Sequence, residues 1–112
     1  MVLHYDARSA RRVPIDCPVK ILLIESLGGP FYGTCTDLSV NGMTLQTSYV
    51  PRPEEELIVL LRGPTMRGLS NQPFQARVRV KRCHQLERDT LFELGVEIIE
   101  ILNGDSATPT TN

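Results

Sequence analysis

The chain has 112 residues, of which 41% are hydrophobic, and a formal net charge of -1. This length is typical of one domain, and the apolar content is enough for a packed core. The balance of 12 basic against 13 acidic residues argues against a broadly basic nucleic-acid coat. Aromatic residues make up only 5% of the chain, which leaves few stacking platforms for single strands. A local anion site remains compatible with this composition.

No apolar run is long enough for a signal peptide or a membrane span; the longest are Ile21–Ile24 and Leu57–Leu61. The three cysteines, Cys17, Cys35 and Cys83, are an odd number without a CxxC spacing. This pattern argues against a structural zinc site and against a disulfide framework. We therefore expect three small buried cysteines, no metal, and a cytoplasmic protein that does not insert into a membrane.

Alternation of apolar and polar residues with a period of two dominates the chain and indicates strands. Residues 1–16 are expected to form a flexible arm, 63–72 a flexible connector and 103–112 a disordered polar tail. No segment has the pattern of an amphipathic helix, and six strands without a helix favour an antiparallel barrel or sandwich. The expected strands are Pro18–Glu25, Phe31–Thr36, Gly42–Thr47, Leu57–Arg62, Pro73–His84 and Leu91–Ile99.

The last two strands carry opposite charges on their outward faces. The fifth presents a basic row, Arg77, Arg79 and Lys81, and the sixth presents Glu93 and Glu97. If these strands pair, opposite charges lie side by side and add modest stability. We interpret the basic row as a solvated, charge-paired strand face rather than a binding stripe. The inward residues are expected to be Phe74, Ala76, Val78 and Val80 in the fifth strand and Phe92, Leu94, Val96 and Ile98 in the sixth.

Two short segments do not fit a sheet scaffold, and the first is the arginine-rich end of the arm. Arg8, Arg11 and Arg12 place three guanidinium groups within five residues. Such a dense charge on an arm is usually solvated. The functional alternative is an arm that folds over an anionic ligand. Arginine suits that role because its planar group binds phosphate or the edge of guanine with two hydrogen bonds and stacks on bases.

The second segment is the sequence DLSVNG, between the second and third expected strands. One interpretation is a turn in which Asp37 and Ser39 bond nearby backbone N–H groups, and Asn41 and Gly42 adopt positive φ. The other is a ligand site. Asp37 would then accept hydrogen bonds from the edge of a guanine, Ser39 would add a hydroxyl, and Gly42 would let the backbone approach the ligand.

Together the two segments are more specific than either alone. Arg8 and Arg12 form an RxxxR pattern, and Asp37, Ser39 and Gly42 form a DxSxxG pattern. In a strand-rich chain of this length, the combination resembles the PilZ domain, the bacterial receptor module for cyclic di-GMP. The resemblance extends over most of the chain. It implies a six-stranded antiparallel β-barrel whose N-terminal arm wraps around a ligand on the outer surface. It also implies that the two arginines grip phosphates and guanine and that the second motif contacts guanine and ribose-phosphate.

Arg11 and Asn41 are candidates for additional ligand contacts. The implied function is a receptor and adaptor without a cofactor, which transmits the cyclic di-GMP signal to an unidentified effector protein by ordering its arm. Motility, surface polysaccharide and virulence control are the implied processes. The alternative is a PilZ module that binds a protein partner and no nucleotide. Many family members carry a basic residue before the first motif arginine, where this chain has Ala7. This departure bears on the strength of binding and on whether one or two nucleotides bind. Many members also continue into a C-terminal helix, and here at most a short one is expected.

An enzyme is not expected. Cys83 and His84 are adjacent on one strand, so their side chains point to opposite faces and cannot form a direct nucleophile and base pair. The chain also lacks the GxSxG sequence and a cluster of metal ligands.

Overall fold

The computed structural model describes residues 11–61, 74–87 and 90–102. The sequence predictions for Arg8, for most of the arm, for the connector 63–72 and for the tail 103–112 lie outside these residues. Every regular element in the described part of the chain is a strand, which confirms the predicted all-β class. The strands are β1 (Val13–Leu23), β2 (Phe31–Leu38), β3 (Gly42–Thr47), β4 (Glu56–Leu61), β5 (Phe74–Glu87) and β6 (Leu91–Ile101).

The six strands close into a barrel in the order β1-β2-β3-β6-β5-β4, with β4 pairing back to β1. Every pair is antiparallel. Closure pairs the strands on both sides over most of the barrel, which removes most of the unprotected sheet edge. The antiparallel pairing of β1 with β2 brings the start of β1 beside the end of β2, where Val13 pairs with Leu38.

The core lies inside the barrel and is built from the inward residues of all six strands. The expected inward faces are confirmed, because Ala76, Val78, Val80, Leu94 and Val96 are at most 5% exposed. Phe74, Phe92 and Ile98 are partly buried and pack against this core. The other buried hydrophobic residues are Cys17, Val19, Ile21, Cys35, Met43, Leu45, Leu57, Val59 and Leu61.

Every strand except β3 extends beyond one of its predicted bounds, because pairing with neighbouring strands recruits flanking residues; at its other end β1 stops at Leu23, before the predicted Glu25. β1 begins at Val13, so residues 13–16 belong to the barrel and the prediction of a flexible arm is wrong for them. β2 continues to Leu38, where it meets that early start of β1. β5 continues to Glu87, because the hairpin with β6 closes on the pair Glu87 and Leu91.

The basic row of β5 is charge-paired, as predicted, although β6 is not its main partner. Arg77 lies 3.3 Å from Glu100 of β6, but it also contacts Glu56 of β4 at 3.6 Å. Arg79 donates to the same Glu56, and Lys81 lies 3.1 Å from Glu54. β5 lies between β4 and β6 in the barrel, so its outward side chains reach acids on both sides.

The cysteine prediction holds for two residues and is wrong for the third. Cys17 and Cys35 are buried, whereas Cys83 is exposed. Pairing with β4 ends at Arg79, so the later part of β5 pairs only with β6 and is exposed on both faces. Burial raises the pKa of Cys35 to about 12, and desolvation also raises the pKa of Cys83. Neither thiol is thereby activated as a thiolate nucleophile.

Candidate functional site

The structure joins the two sequence motifs through one ion pair. Nη1 of Arg12 donates to Oδ1 of Asp37 across 2.7 Å. Pro14 pairs with Asp37 in the β1–β2 ladder. Arg12 precedes Pro14 by two residues and therefore lies beside the carboxylate. The side chains are 49% and 26% exposed, respectively. The contact is therefore open to solvent and to a ligand.

A bulge in β2 turns Asp37 to the outer surface. Cys35 points into the core, and strict alternation would bury a side chain two residues later as well. The ladder to β3 shifts register between these two positions: Cys35 pairs with Leu45, but Asp37 pairs with Thr44. The extra residue, Thr36, reverses the facing of the residues after it, which is how bulges re-aim side chains.

Ser39 holds the turn between β2 and β3. Its backbone N–H donates to the carbonyl oxygen of Gly42 across 2.9 Å. Its hydroxyl oxygen accepts from the N–H groups of Asn41 and Gly42, each at 3.2 Å, and itself donates to the carbonyl oxygen of Gly42 at 3.3 Å. The turn interpretation is thus confirmed for Ser39, whereas the Asp37 carboxylate bonds the arm arginine.

Gly42 is required for a reason that differs from the predicted one. Among the described residues, positive φ occurs at Gly28, Gly29 and Glu54, and not at Asn41 or Gly42. A Cβ on Gly42 would instead collide with the backbone carbonyl oxygen of Val96. The glycine is therefore needed because β3 and β6 approach closely here. The prediction of a positive φ at these two positions is wrong.

A pocket of about 200 Å³ adjoins this turn, and we refer to it as the polar pocket. It is smaller than sites that enclose a drug-sized molecule, which start at about 300 Å³. It can therefore receive only part of a ligand of that size. Its lining joins the motif residues to β5 and β6: Arg12, Asn41, Gly42, Lys81, Arg82, Gly95, Val96 and Glu97.

A second depression, the apolar groove, lies on the other side of the turn and measures about 520 Å³. Arg11 lines the groove while its neighbour Arg12 lines the polar pocket, so consecutive arm residues serve different surfaces. The groove is lined by Arg11, Val13, Ile15, Leu38, Ser39, Val40, Phe74, Ile98 and Ile101.

The predicted site residues are thus largely brought together. Arg12, Asp37, Ser39, Asn41 and Gly42 surround the turn and the polar pocket, and Arg11 lies on the apolar side. Sequence reasoning missed the contribution of β5. A signal was present, because Lys81 and Arg82 are consecutive basic residues where strict alternation predicts one outward and one inward side chain.

Within the described residues, no three His, Cys, Asp or Glu side chains form a group that could hold a metal ion. No helix in the described part of the chain is long and apolar enough to cross a membrane.

A closed six-stranded antiparallel barrel with these two motifs joined on its outer face has the architecture of a PilZ-type binding module. The family model for the PilZ domain matches residues 6–108. The chain therefore belongs to the PilZ domain family, whose members are regulatory binding modules rather than enzymes.

Among solved structures, the chain is similar to that titled "Structure of Bacillus subtilis Inhibitor of motility (MotI/DgrA)". The TM-score is 0.61 over 86% of this chain, with 17% sequence identity. At this identity the likeness shows the fold alone. The match covers 44% of the other chain, so this chain spans less than half of that protein. No curated protein matches the chain significantly.

Proposed function

We propose that the chain is a cyclic di-GMP receptor that transmits the second-messenger signal to an effector protein. The observation that carries the proposal is the contact of Arg12 with Asp37 beside the polar pocket. A ligand with two phosphates and two guanines requires cations, planar stacking groups and edge acceptors. The described surface offers all three.

The geometry supports an exchange of partners at the ion pair. A half-exposed ion pair is worth at most about 1 kcal/mol, so Arg12 can turn to a phosphate at little cost. The freed Asp37 carboxylate can then accept from the N1–H and N2–H edge of guanine. Ser39 keeps the turn in place, and its hydroxyl is largely used by backbone N–H groups.

The arm connects the polar pocket, where the ligand would bind, with the apolar groove, where the partner would bind. Arg12 lines the polar pocket and Arg11 lines the apolar groove, so a ligand that fixes one of them also fixes the other. Val40 is 82% exposed and Val13 is 52% exposed at the groove. Exposed apolar residues that cluster in this way are typical of a protein contact surface. In this proposal the effector binds there, in the cytoplasm, and responds to arm ordering.

The printed name of the similar structure describes an inhibitor of motility. Motility therefore stands among the candidate processes, beside surface polysaccharide and virulence control.

The second candidate is a PilZ module that binds a protein partner without nucleotide. Two observations favour it. Arg12 and Asp37 already form an ion pair with each other. The apolar groove is also larger than the polar pocket. In this case the apolar groove alone would carry the function.

Isothermal titration of the purified full chain with cyclic di-GMP tests the proposal. We expect saturable binding that Arg12→Ala abolishes or weakens by about tenfold or more. Lys20→Ala is the charge-matched control, because its side chain is exposed and lies toward the opposite end of β1 from Arg12, where Lys20 pairs with Tyr32 and Leu60. No heat and no shift in melting temperature with the wild type would reject the receptor function. Partner binding that persists in Arg8→Ala/Arg12→Ala without nucleotide would support the second candidate.

A further inference from the structure

Arg82 lies flat against the backbone of the neighbouring strand. A Cβ built on Gly95 of β6 would lie 2.5, 2.8 and 3.0 Å from Nη2, Cζ and Nη1 of Arg82. Because all three atoms are close to the same point, the guanidinium plane covers the glycine. Only a glycine at position 95 leaves room for the guanidinium group of Arg82. The other face of this group is turned away from β6.

A register shift in β5 gives Arg82 this orientation. Val80 pairs with Val96, but the next pair is Arg82 with Gly95, so Lys81 is an extra residue in the ladder. Without the bulge, strict alternation would turn Arg82 inward with Val80. The bulge instead aims it outward, on the same face as Gly95. It is the second bulge that turns a polar residue to this part of the surface.

Arg82 differs from the other cations of β5 in its partners. Arg77, Arg79 and Lys81 each contact a glutamate of β4, β6 or the segment before β4. Within the described part of the chain, no carboxylate forms an ion pair with Arg82, although its side chain is exposed. The charge-paired strand face predicted from the sequence therefore ends at Lys81, and Arg82 is available to a ligand.

We propose that Arg82, held over Gly95, is the stacking platform of the polar pocket and receives a purine base of the ligand on the face of its guanidinium that is turned away from the strand. This inference rests on the proposed function and adds a residue outside both motifs. Arg12 and Arg82 line the pocket together, and the described lining contains no aromatic side chain that could stack on a base. A guanidinium plane performs that role while adding a positive charge for the phosphates.

Three substitutions separate stacking from charge. Arg82→Ala removes both, and base stacking on a side chain is worth enough that we expect about tenfold weaker binding of cyclic di-GMP. Arg82→Lys keeps the charge but not the plane, so it should bind nearly as weakly as the alanine variant. Gly95→Ala keeps Arg82 but pushes its guanidinium away. Its affinity should also fall, while the barrel persists because the clash is with the end of a flexible side chain.

Titration with cyclic di-GMP is carried out on each variant, on Gly95→Ala/Arg82→Ala and on the Lys20→Ala control, with melting temperatures to verify folding. The double variant should bind no more weakly than Arg82→Ala, because both changes remove one interaction. Full affinity in Arg82→Ala while Arg12→Ala still fails to bind would overturn the inference and leave the receptor function intact. Recovery of wild-type affinity in Arg82→Lys would show that charge, not stacking, matters. A wild type that does not bind would reject the function and the inference with it.

Discussion

Replacement of Gly42 by alanine is expected to destabilise the barrel at the site. The added Cβ would meet the carbonyl oxygen and carbon of Val96 and, at 3.5 Å, the Cα of Glu97. These are backbone atoms of a strand that pairs on both sides, so they cannot rotate away as a side chain does. β3 and β6 must separate locally, and the main-chain ladder between them is strained.

The magnitude follows from the cost of overpacking a close contact, about 1–3 kcal/mol of unfolding free energy. For a domain of this size each kcal/mol lowers the melting temperature by about 4–8 °C, so a decrease of about 5–20 °C is expected. Thermal unfolding followed by circular dichroism, with urea titration for the free energy, measures both quantities. Val40→Ala is the control in the same turn, since Val40 is 82% exposed and its truncation should change stability by less than about 0.5 kcal/mol.

A Gly42→Ala variant that melts within about 2 °C of the wild type would refute the close-approach argument, because an unstrained surface substitution already causes a change of that size. The expected result has a consequence for ligand studies. Loss of nucleotide binding in this variant would reflect a displaced strand, so it would not by itself show that the glycine contacts the ligand.

Three further predictions concern the hydrogen bonds that support the turn between β2 and β3 and the segment before β4. Ser39→Ala removes the oxygen that accepts two backbone N–H groups and should lower the unfolding free energy by about 1 kcal/mol in urea titration; an unchanged midpoint would contradict the role given to this hydroxyl. Tyr49 donates to the carboxylate of Glu55, which is 1% exposed, so Tyr49→Phe should cost about 1–3 kcal/mol, and an equally stable variant would mean that the carboxylate is satisfied without the phenol. Burial and this carboxylate raise the pKa of Tyr49 to about 12; because the unfolded phenol ionises near pH 10, wild-type stability should fall between about pH 10 and pH 12, and more steeply than that of Tyr49→Phe.

The sequence determined the strands and their inward faces. Alternation is a local property of the chain, and a half-buried strand repeats its apolar residues with the period of its own backbone. This is why Ala76, Val78 and Val80 could be assigned to the core before any pairing was known. The RxxxR and DxSxxG motifs could be identified for a similar reason, because each is defined by the spacing of a few residues along the sequence.

The tertiary structure decided where alternation breaks and which residues meet. The bulges at Thr36 and Lys81 arise from the register in which neighbouring strands pair, and they turn Asp37 and Arg82 outward against the local period. The need for Gly42 depends on the approach of β6, more than fifty residues later in the chain. Register between strands is set by the closed barrel as a whole, and a period-two pattern carries no information about it.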